Sequence, residues 1–344
     1  METKALVNAL SKVKFCTSSN PVLPIFSFVH MKNGFIETCN GTQGVRLSYD
    51  IPFEGSVNLE LLLNTLNIYN VVDSISKVDD KLIISAKNAT STLQVFEDSI
   101  SLFDDVGEPK LEVAVDANFI NGLVKCLTTV DRNNLVESQS GITLKVCPTN
   151  LSMFSISGFK GTRLSKYSYD VGYDSDGPVL TEIIFPELFC RYIANLYKEP
   201  TTLVIADATA TIQLGDITFI TRIEDITPID FDSIITKNTV GGYSVIDVPA
   251  ELINAVDRAV IALSPLKDNK VIDMVLDNKV LSITAKSHLA SYEDSIPLDI
   301  DNSFKYTVDA IPFQATLKEI KKIGFHNDLI LGENDNYFIL METN

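Results

Sequence analysis

Leu6-Val7-Asn8-Ala9-Leu10-Ser11-Lys12 returns twice along the chain, as Phe119-Ile120-Asn121-Gly122-Leu123-Val124-Lys125 and as Leu252-Ile253-Asn254-Ala255-Val256-Asp257-Arg258. Each copy has two apolar residues, an asparagine, a small residue, another apolar residue, a variable position and a base. Apolar residues at this spacing predict an amphipathic helix whose base stands off the buried face. One unit written three times in 344 residues predicts a symmetric object of three similar parts.

Working outward, each third continues in the same order. A turn signal and a strand come next: Phe35-Ile36-Glu37-Thr38 after Asn33-Gly34, Leu151 to Ile156 after Pro148-Thr149-Asn150, and Val280 to Thr284 after Asp277-Asn278-Lys279. A second helix follows at 58–69, at 186–197 and at 312–323, opened by Asn58, Pro186 and Pro312. Strands then close each unit, at Leu82-Ile83-Ile84 and Thr92 to Val95, at Leu203-Val204-Ile205 and Ile217 to Ile220, and at Leu329-Ile330-Leu331 and Tyr337 to Met341. No run of long helices between strands marks a doubly wound sheet, so the expected class is α+β, with two helices per third packed on antiparallel sheets. The turn-rich segments 104–109 and 226–242 place the boundaries, giving domains at 1–108, 109–236 and 237–344.

Hydrophobic residues make up 45% of the chain, enough for packed cores despite a net charge of −17. That charge, taken alone, repels phosphate, so the position of the bases matters more than their number. The six helix candidates, taken as 1–15, 58–69, 117–130, 186–199, 249–262 and 311–323, together carry +3, leaving −20 on the remainder. If those helices faced one cavity, it would be electropositive within an acidic shell, as sequence-independent contact with DNA phosphates requires. The same bases would also suit any solvated helix face.

Other chemistry is thinly supported. The histidines His30, His288 and His326 belong to no ligand-spaced cluster, and no phosphate-binding Gly-x-x-x-x-Gly-Lys loop occurs, so no metal or cofactor is expected and any ATP hydrolysis would come from a partner. His326 reads as a turn residue. The acid pairs Asp230/Asp232 and Asp299/Asp301 lie in turn-like stretches without convergent partners. Cys16, Cys39, Cys126, Cys147 and Cys190 form no Cys-x-x-Cys, which fits a reducing cytoplasm, and Cys126 and Cys190 read as small buried hydrophobes. The first residues do not form a secretory signal, and no stretch approaches the roughly 18 apolar residues of a membrane span. The reading is therefore a cytoplasmic protein that is not an enzyme.

Leu23-Pro24-Ile25-Phe26-Ser27-Phe28-Val29, Cys39-Asn40-Gly41-Thr42-Gln43-Gly44-Val45-Arg46-Leu47, Lys160-Gly161-Thr162-Arg163-Leu164 and Thr221-Arg222-Ile223-Glu224-Asp225-Ile226-Thr227-Pro228-Ile229-Asp230 together resemble, in colinear order, the bacterial sliding clamp, the β subunit of the replicative DNA polymerase III. The resemblance implies a homodimer joined head to tail, with three domains per subunit closed into a ring around double-stranded DNA without sequence specificity. It implies a clamp loader ATPase and the replicative polymerase as partners, and processivity without catalysis. The alternative is a clamp-fold scaffold or inhibitor that binds replication proteins without encircling DNA.

Carried over by motif, the partner-peptide groove would use Gly161, Thr162, Arg163, Leu164, Pro249, Phe338, Ile339, Leu340 and Met341. The DNA-facing set would be Lys4, Lys12, Lys14, Lys125, Arg132, Arg191, Lys198, Arg258, Lys318, Lys321 and Lys322. Two departures stand out: Met341-Glu342-Thr343-Asn344 replaces the family's Met-Pro ending, and Lys160 stands where the family has Asp. They mark a divergent clamp, of the kind a phage or mobile element would carry.

Overall fold

The computed structural model describes residues 3–18, 21–51, 53–69, 71–130, 139–147, 149–157, 163–171, 181–223, 225–239, 244–267, 270–326 and 328–343. Its helices are α1 (Thr3–Val13), α2 (Leu59–Ile68), α3 (Ala117–Leu127), α4 (Glu187–Leu196), α5 (Phe231–Thr239), α6 (Ala250–Ala262) and α7 (Ala310–Leu317). Every pair of neighbouring strands described is antiparallel. The architecture is α+β. Among the described residues no helix is long and apolar enough to cross a membrane.

The chain divides into two compact units, one of residues 1–119 and 195–224, the other of 120–194 and 225–344. The first unit has an eight-stranded sheet running, edge to edge, Gly55–Asn58, Phe28–Lys32, Phe35–Cys39, Gln43–Ser48, Ile217–Arg222, Thr209–Leu214, Thr201–Ile205 and Leu111–Val115, and a three-stranded sheet of Ser74–Val78, Lys81–Ala86 and Ala89–Gln94. The second unit repeats the large sheet as Thr181–Pro186, Gly141–Val146, Asn150–Ser157, Arg163–Asp170, Tyr337–Glu342, Leu329–Glu333, Lys322–His326 and Ser244–Asp247. Its smaller sheet runs Ser291–Pro297, Val280–Lys286, Val271–Asp277 and Phe304–Asp309. Each large sheet thus joins strands from two successive thirds of the sequence.

The recurring heptapeptide explains how helices sit on these sheets. Its first, fourth and fifth positions fall on one helical stripe, and Leu6, Ala9 and Leu10 of α1 and Leu252, Ala255 and Val256 of α6 are buried there. The small residue in the fourth position allows close approach. A Cβ on Gly122 of α3 would lie 2.7 Å from Met153 Sδ and 2.8 Å from Tyr167 Cδ1. Caps start two of the helices: Asn58 Oδ1, the opening residue read from the sequence, accepts from Leu61 N at 3.0 Å, and Asp116 Oδ1 accepts from Phe119 N at 2.9 Å. Asn33 and Gly34 take φ values of 54° and 77° in the two-residue turn that pairs Lys32 with Phe35.

Three expectations are corrected. The last helix ends at Leu317, so Lys321 and Lys322 are not helical: Lys322 opens strand Lys322–His326, which pairs with Leu329–Glu333 on one side and Ser244–Asp247 on the other. His326 closes that strand opposite Leu329 rather than lying in a turn. The turn-rich stretch 226–242 contains α5, a short helix held by its Phe231 rather than by periodicity.

Residues 96–106 and the α5 segment 226–239 are straps, each crossing the face of a large sheet opposite its heptapeptide helix, and they share a Phe-Asp pair. In the second unit Phe231 stacks on Phe154 with ring centroids 5.0 Å apart, inside a cluster of Phe154, Ile156, Leu164, Leu331 and Leu340. Lys145 and Lys166 hold Asp232 at 2.7 Å and 3.0 Å. Burial works to raise the Asp232 carboxyl pKa, and the two ammonium groups outweigh it, leaving it below its usual range. In the first unit Leu102, Ile100, Phe103 and Val106 pack on Cys39 and Ile220. There the Arg46 guanidinium lies 4.3 Å from the Phe103 ring centroid.

Candidate functional site

The base in the last position of each heptapeptide stands off the buried stripe, and each is engaged by an acid from another element. Lys12 Nζ of α1 lies 2.7 Å from Asp216 Oδ2, in the turn between strands Thr209–Leu214 and Ile217–Arg222. Lys125 of α3 pairs with Glu319 just beyond α7 and sits 5.5 Å from the centroid of the Tyr337 ring. Arg258 of α6 reaches strand Ser291–Pro297, donating to Asp294 Oδ2 at 2.8 Å and to the Tyr292 hydroxyl at 3.0 Å. The Lys12 hydrogen bond holds the Asp216 carboxyl below its usual pKa. Asp294 is lowered by the Tyr292 hydroxyl first, with Arg258 adding to it. Burial lowers the Lys125 pKa.

The same pattern extends beyond the repeated position. Lys318 Nζ lies 2.9 Å from Asp257 Oδ1, Lys321 pairs with Asp335, and Arg191 Nε donates to Glu187 Oε1 at 2.6 Å one helical turn away. Lys4, Lys14, Lys198 and Lys322 are exposed. Lys198 borders a cleft of about 320 Å³ together with Lys12 and Asp216. Arg132 lies outside the described residues.

The expected peptide-groove residues divide between the two faces of one sheet. Arg163 pairs with Met341 and Leu164 with Leu340, so alternation sends neighbours to opposite sides. Leu164, Phe338 and Leu340 face the strap helix α5 with Ile229, Ile234 and Ile235. Arg163 and Ile339 line a cleft of about 390 Å³ on the other side, with Val124, Lys125, Ile311 and Tyr337. Met341 is buried, and its Sδ accepts from Thr316 Oγ1 at 3.7 Å. Pro249 caps α6, where its carbonyl accepts from Leu252 N at 3.0 Å. Gly161 and Thr162 lie outside the described residues.

Acid pairs and thiols that could suggest catalysis have other partners. Asp230 caps α5 through Ser233, whose hydrogen bonds hold its carboxyl below the usual range. Asp299 and Asp301 grip Lys279 at 2.7 Å and 3.0 Å. Burial pushes the Cys126 thiol up to about 12 and raises Cys190 further, the reverse of what a nucleophilic thiol needs. Among the described residues no three His, Cys, Asp or Glu side chains converge as a metal site.

No family model and no curated protein matches the sequence. Solved structures do match over the whole chain. The DNA polymerase III subunit beta of Pseudomonas aeruginosa has a TM-score of 0.78 at 17% identity, with 100% of this chain and 98% of that chain covered. A Helicobacter pylori beta clamp, solved bound to a DNA ligase peptide, gives 0.79 at 18%, covering 100% and 99%. A putative beta subunit from Eubacterium rectale gives 0.80 at 14%, covering 100% and 97%. At TM-scores of 0.78 to 0.80 over its whole length, this chain has the sliding-clamp fold of the bacterial DNA polymerase III beta subunits, at great distance in sequence.

Proposed function

We propose that the protein is a DNA sliding clamp, a processivity factor without catalytic activity. In this reading two copies join head to tail, their thirds at 1–108, 109–236 and 237–344 act as six domains, and the ring encloses double-stranded DNA. The observation that supports it is the whole-length likeness in fold to beta clamps of three bacteria. A clamp loader ATPase opens the ring and the replicative polymerase rides on it. Partners attach by short apolar peptides; the Helicobacter pylori clamp was itself solved bound to a DNA ligase peptide. Arg163 and Ile339, which line the cleft of about 390 Å³, are the groove candidates that would meet such a peptide, while Leu164, Leu340 and Met341 are buried and would support the sheet beneath it.

Lys12, Lys125 and Arg258 are the bases placed to meet phosphate, with Lys4, Lys14, Lys198, Lys318 and Lys322 adding to the field. Their acid partners favour loose contact, since phosphate gains only what the carboxylate gives up. The same pairing also suits the second reading, a clamp-fold scaffold that binds replication proteins away from DNA. Loading onto nicked circular DNA with a clamp loader, followed by linearisation, separates the two. The clamp reading expects the protein to stay on circles and to run off after cutting. A protein that never accumulates on circles in the presence of a competent loader would leave the scaffold.

A further inference from the structure

Strands Phe28–Lys32, Phe35–Cys39 and Gln43–Ser48 place His30, Glu37 and Arg46 in one cross-strand row, His30 opposite Glu37 and Glu37 opposite Arg46. The row lies on the face opposite the heptapeptide helix, under the strap of residues 96–106. The second unit fills the matching positions with Thr143, Phe154 and Lys166, where Phe154 stacks on the strap's Phe231. The first unit has instead a cavity of about 150 Å³, bordered by Lys32, Asn33, Phe35, Ser99, Ser101 and Asp104 as well as the row itself.

Two buried polar atoms in this row have no hydrogen-bond partner among the described residues: His30 Nε2 and Glu37 Oε1. Both residues are more than nine-tenths buried, at 4% and 6% exposure. Leaving such atoms unpaired is costly, so a row that keeps two of them beside one cavity is built for something that pairs them.

Hydrogen-bond accounting fixes what that is. Ser56 gives its only hydroxyl proton to the Asp98 carbonyl at 2.6 Å, so His30 Nδ1, 2.8 Å from the same oxygen, must be the donor. Nε2 of the neutral ring is then a lone-pair acceptor. Glu37 Oε2 accepts from Arg46 Nε at 3.0 Å and Nη2 at 2.8 Å, which fixes the carboxylate; the Ser101 hydroxyl stands beside it, and Oε1 is the oxygen left without a well-formed hydrogen bond. Two acceptors on directly opposed residues call for two donor hydrogens, which two N–H groups on one nitrogen can supply together. Lys32 and Arg46 balance Glu37 and Asp104, so the cavity wall carries no net formal charge, and Arg46 already supplies the cation that Glu37 faces. The space exceeds that of a single water.

We propose that this cavity is a binding site for a neutral primary amide, whose –NH2 bridges His30 Nε2 and Glu37 Oε1. The amide oxygen turns toward the rim, where Lys32, Asn33 and Ser99 carry donors. The site is independent of DNA and of the peptide groove.

The test uses the full chain with 15N-labelled histidine, followed by NMR during titration with propionamide. The expected result is a saturable shift of the His30 ring-nitrogen signals at millimolar probe, absent with N,N-dimethylpropionamide and with propionate. His30→Phe, which lacks the reporter ring and is therefore read by isothermal titration calorimetry, should weaken binding about tenfold or more, as loss of a buried hydrogen bond implies. Glu37→Gln, which replaces an acceptor by a competing donor, should do the same and serves if the first variant fails to fold. Blocked glutamine, N-acetylglutamine methylamide, distinguishes the source: tighter binding than propionamide marks a protein side chain, equal or weaker binding a free small amide. No saturable shift with propionamide, or an equal shift with the dimethyl compound, would overturn the proposal.

Discussion

A lysine that already holds a carboxylate at 2.7 Å must release it before it can hold a phosphate, and Lys12 stands in that position against Asp216. Lys125 with Glu319 and Arg258 with Asp294 repeat the arrangement. These pairs are largely exposed, so each adds under about 1 kcal/mol to stability and their main effect is on the field. Replacing the acids by Asp216→Asn, Glu319→Gln and Asp294→Asn should tighten DNA binding and steepen its salt dependence, by a slope of up to about 0.9 for each phosphate newly held. Binding titrations at several salt concentrations check this, and an unchanged slope would remove the three bases from the DNA surface. The bases were legible in the sequence because helical spacing repeats them. Their acid partners were not, because Asp216 is 204 residues from Lys12 and only the fold joins them. At His30 the same scale gives a pH effect. Burial lowers its pKa from 6.5 to about 4, so between those values the unfolded chain binds the proton and the folded chain does not. Stability present above pH 6.5 is therefore lost as pH falls toward 4, by up to about 3 kcal/mol. Burial of Glu37 raises its pKa and acts in the opposite sense, as its stabilising proton is lost when pH rises. Comparing denaturation midpoints of wild type and His30→Gln from pH 7 to pH 4 isolates the histidine: the wild type should lose more stability on acidification.

Among the elements, the straps carry most of what the sequence did not reveal. Nine of the strands and six helices follow from period-two and period-3.6 patterns with Asn, Gly and Pro punctuation, as at Asn33-Gly34 and Asn58. The α5 helix does not, because its one fully buried side chain is Phe231 and its remaining faces are polar or half-buried. Its position depends on Phe154 across the sheet, a contact that periodicity within 231–239 cannot express. Strand alternation likewise implies that adjacent groove candidates such as Arg163 and Leu164 point to opposite faces, but which face meets a strap is decided only by tertiary packing. Phe231→Ala should cost about 3–5 kcal/mol, since it empties a stacked site that 2% exposure shows to be closed. Asp232→Asn should cost under about 1 kcal/mol, because its two lysines remain hydrated. Thermal or denaturant unfolding of both variants checks the ratio. If the two substitutions cost the same, the strap is held by its ion pairs rather than by its aromatic anchor.

On the scale of the whole molecule, a net charge of −17 opposes the approach of DNA, while the helix segments carry a small excess of base. An acidic body with bases already paired is poorly suited to hold a duplex by attraction alone, because the long-range term is repulsive and the short-range term is a partner exchange. Confinement has neither weakness. A closed ring is retained by topology, and its occupancy on circular DNA does not fall with counterion release as phosphate contacts do. For the loaded protein, raising salt from about 0.05 M to 0.2 M should therefore leave retention on nicked circles nearly unchanged, although simple phosphate binding through several bases falls by orders of magnitude over that range. Binding to linear DNA without a loader should be feeble at the low end and absent at the high end. Gel filtration of loaded circles at both salts measures the first quantity, and a filter-binding titration the second. If retention on circles drops with salt in step with linear binding, the protein is held by charge and the ring is not closed around the duplex.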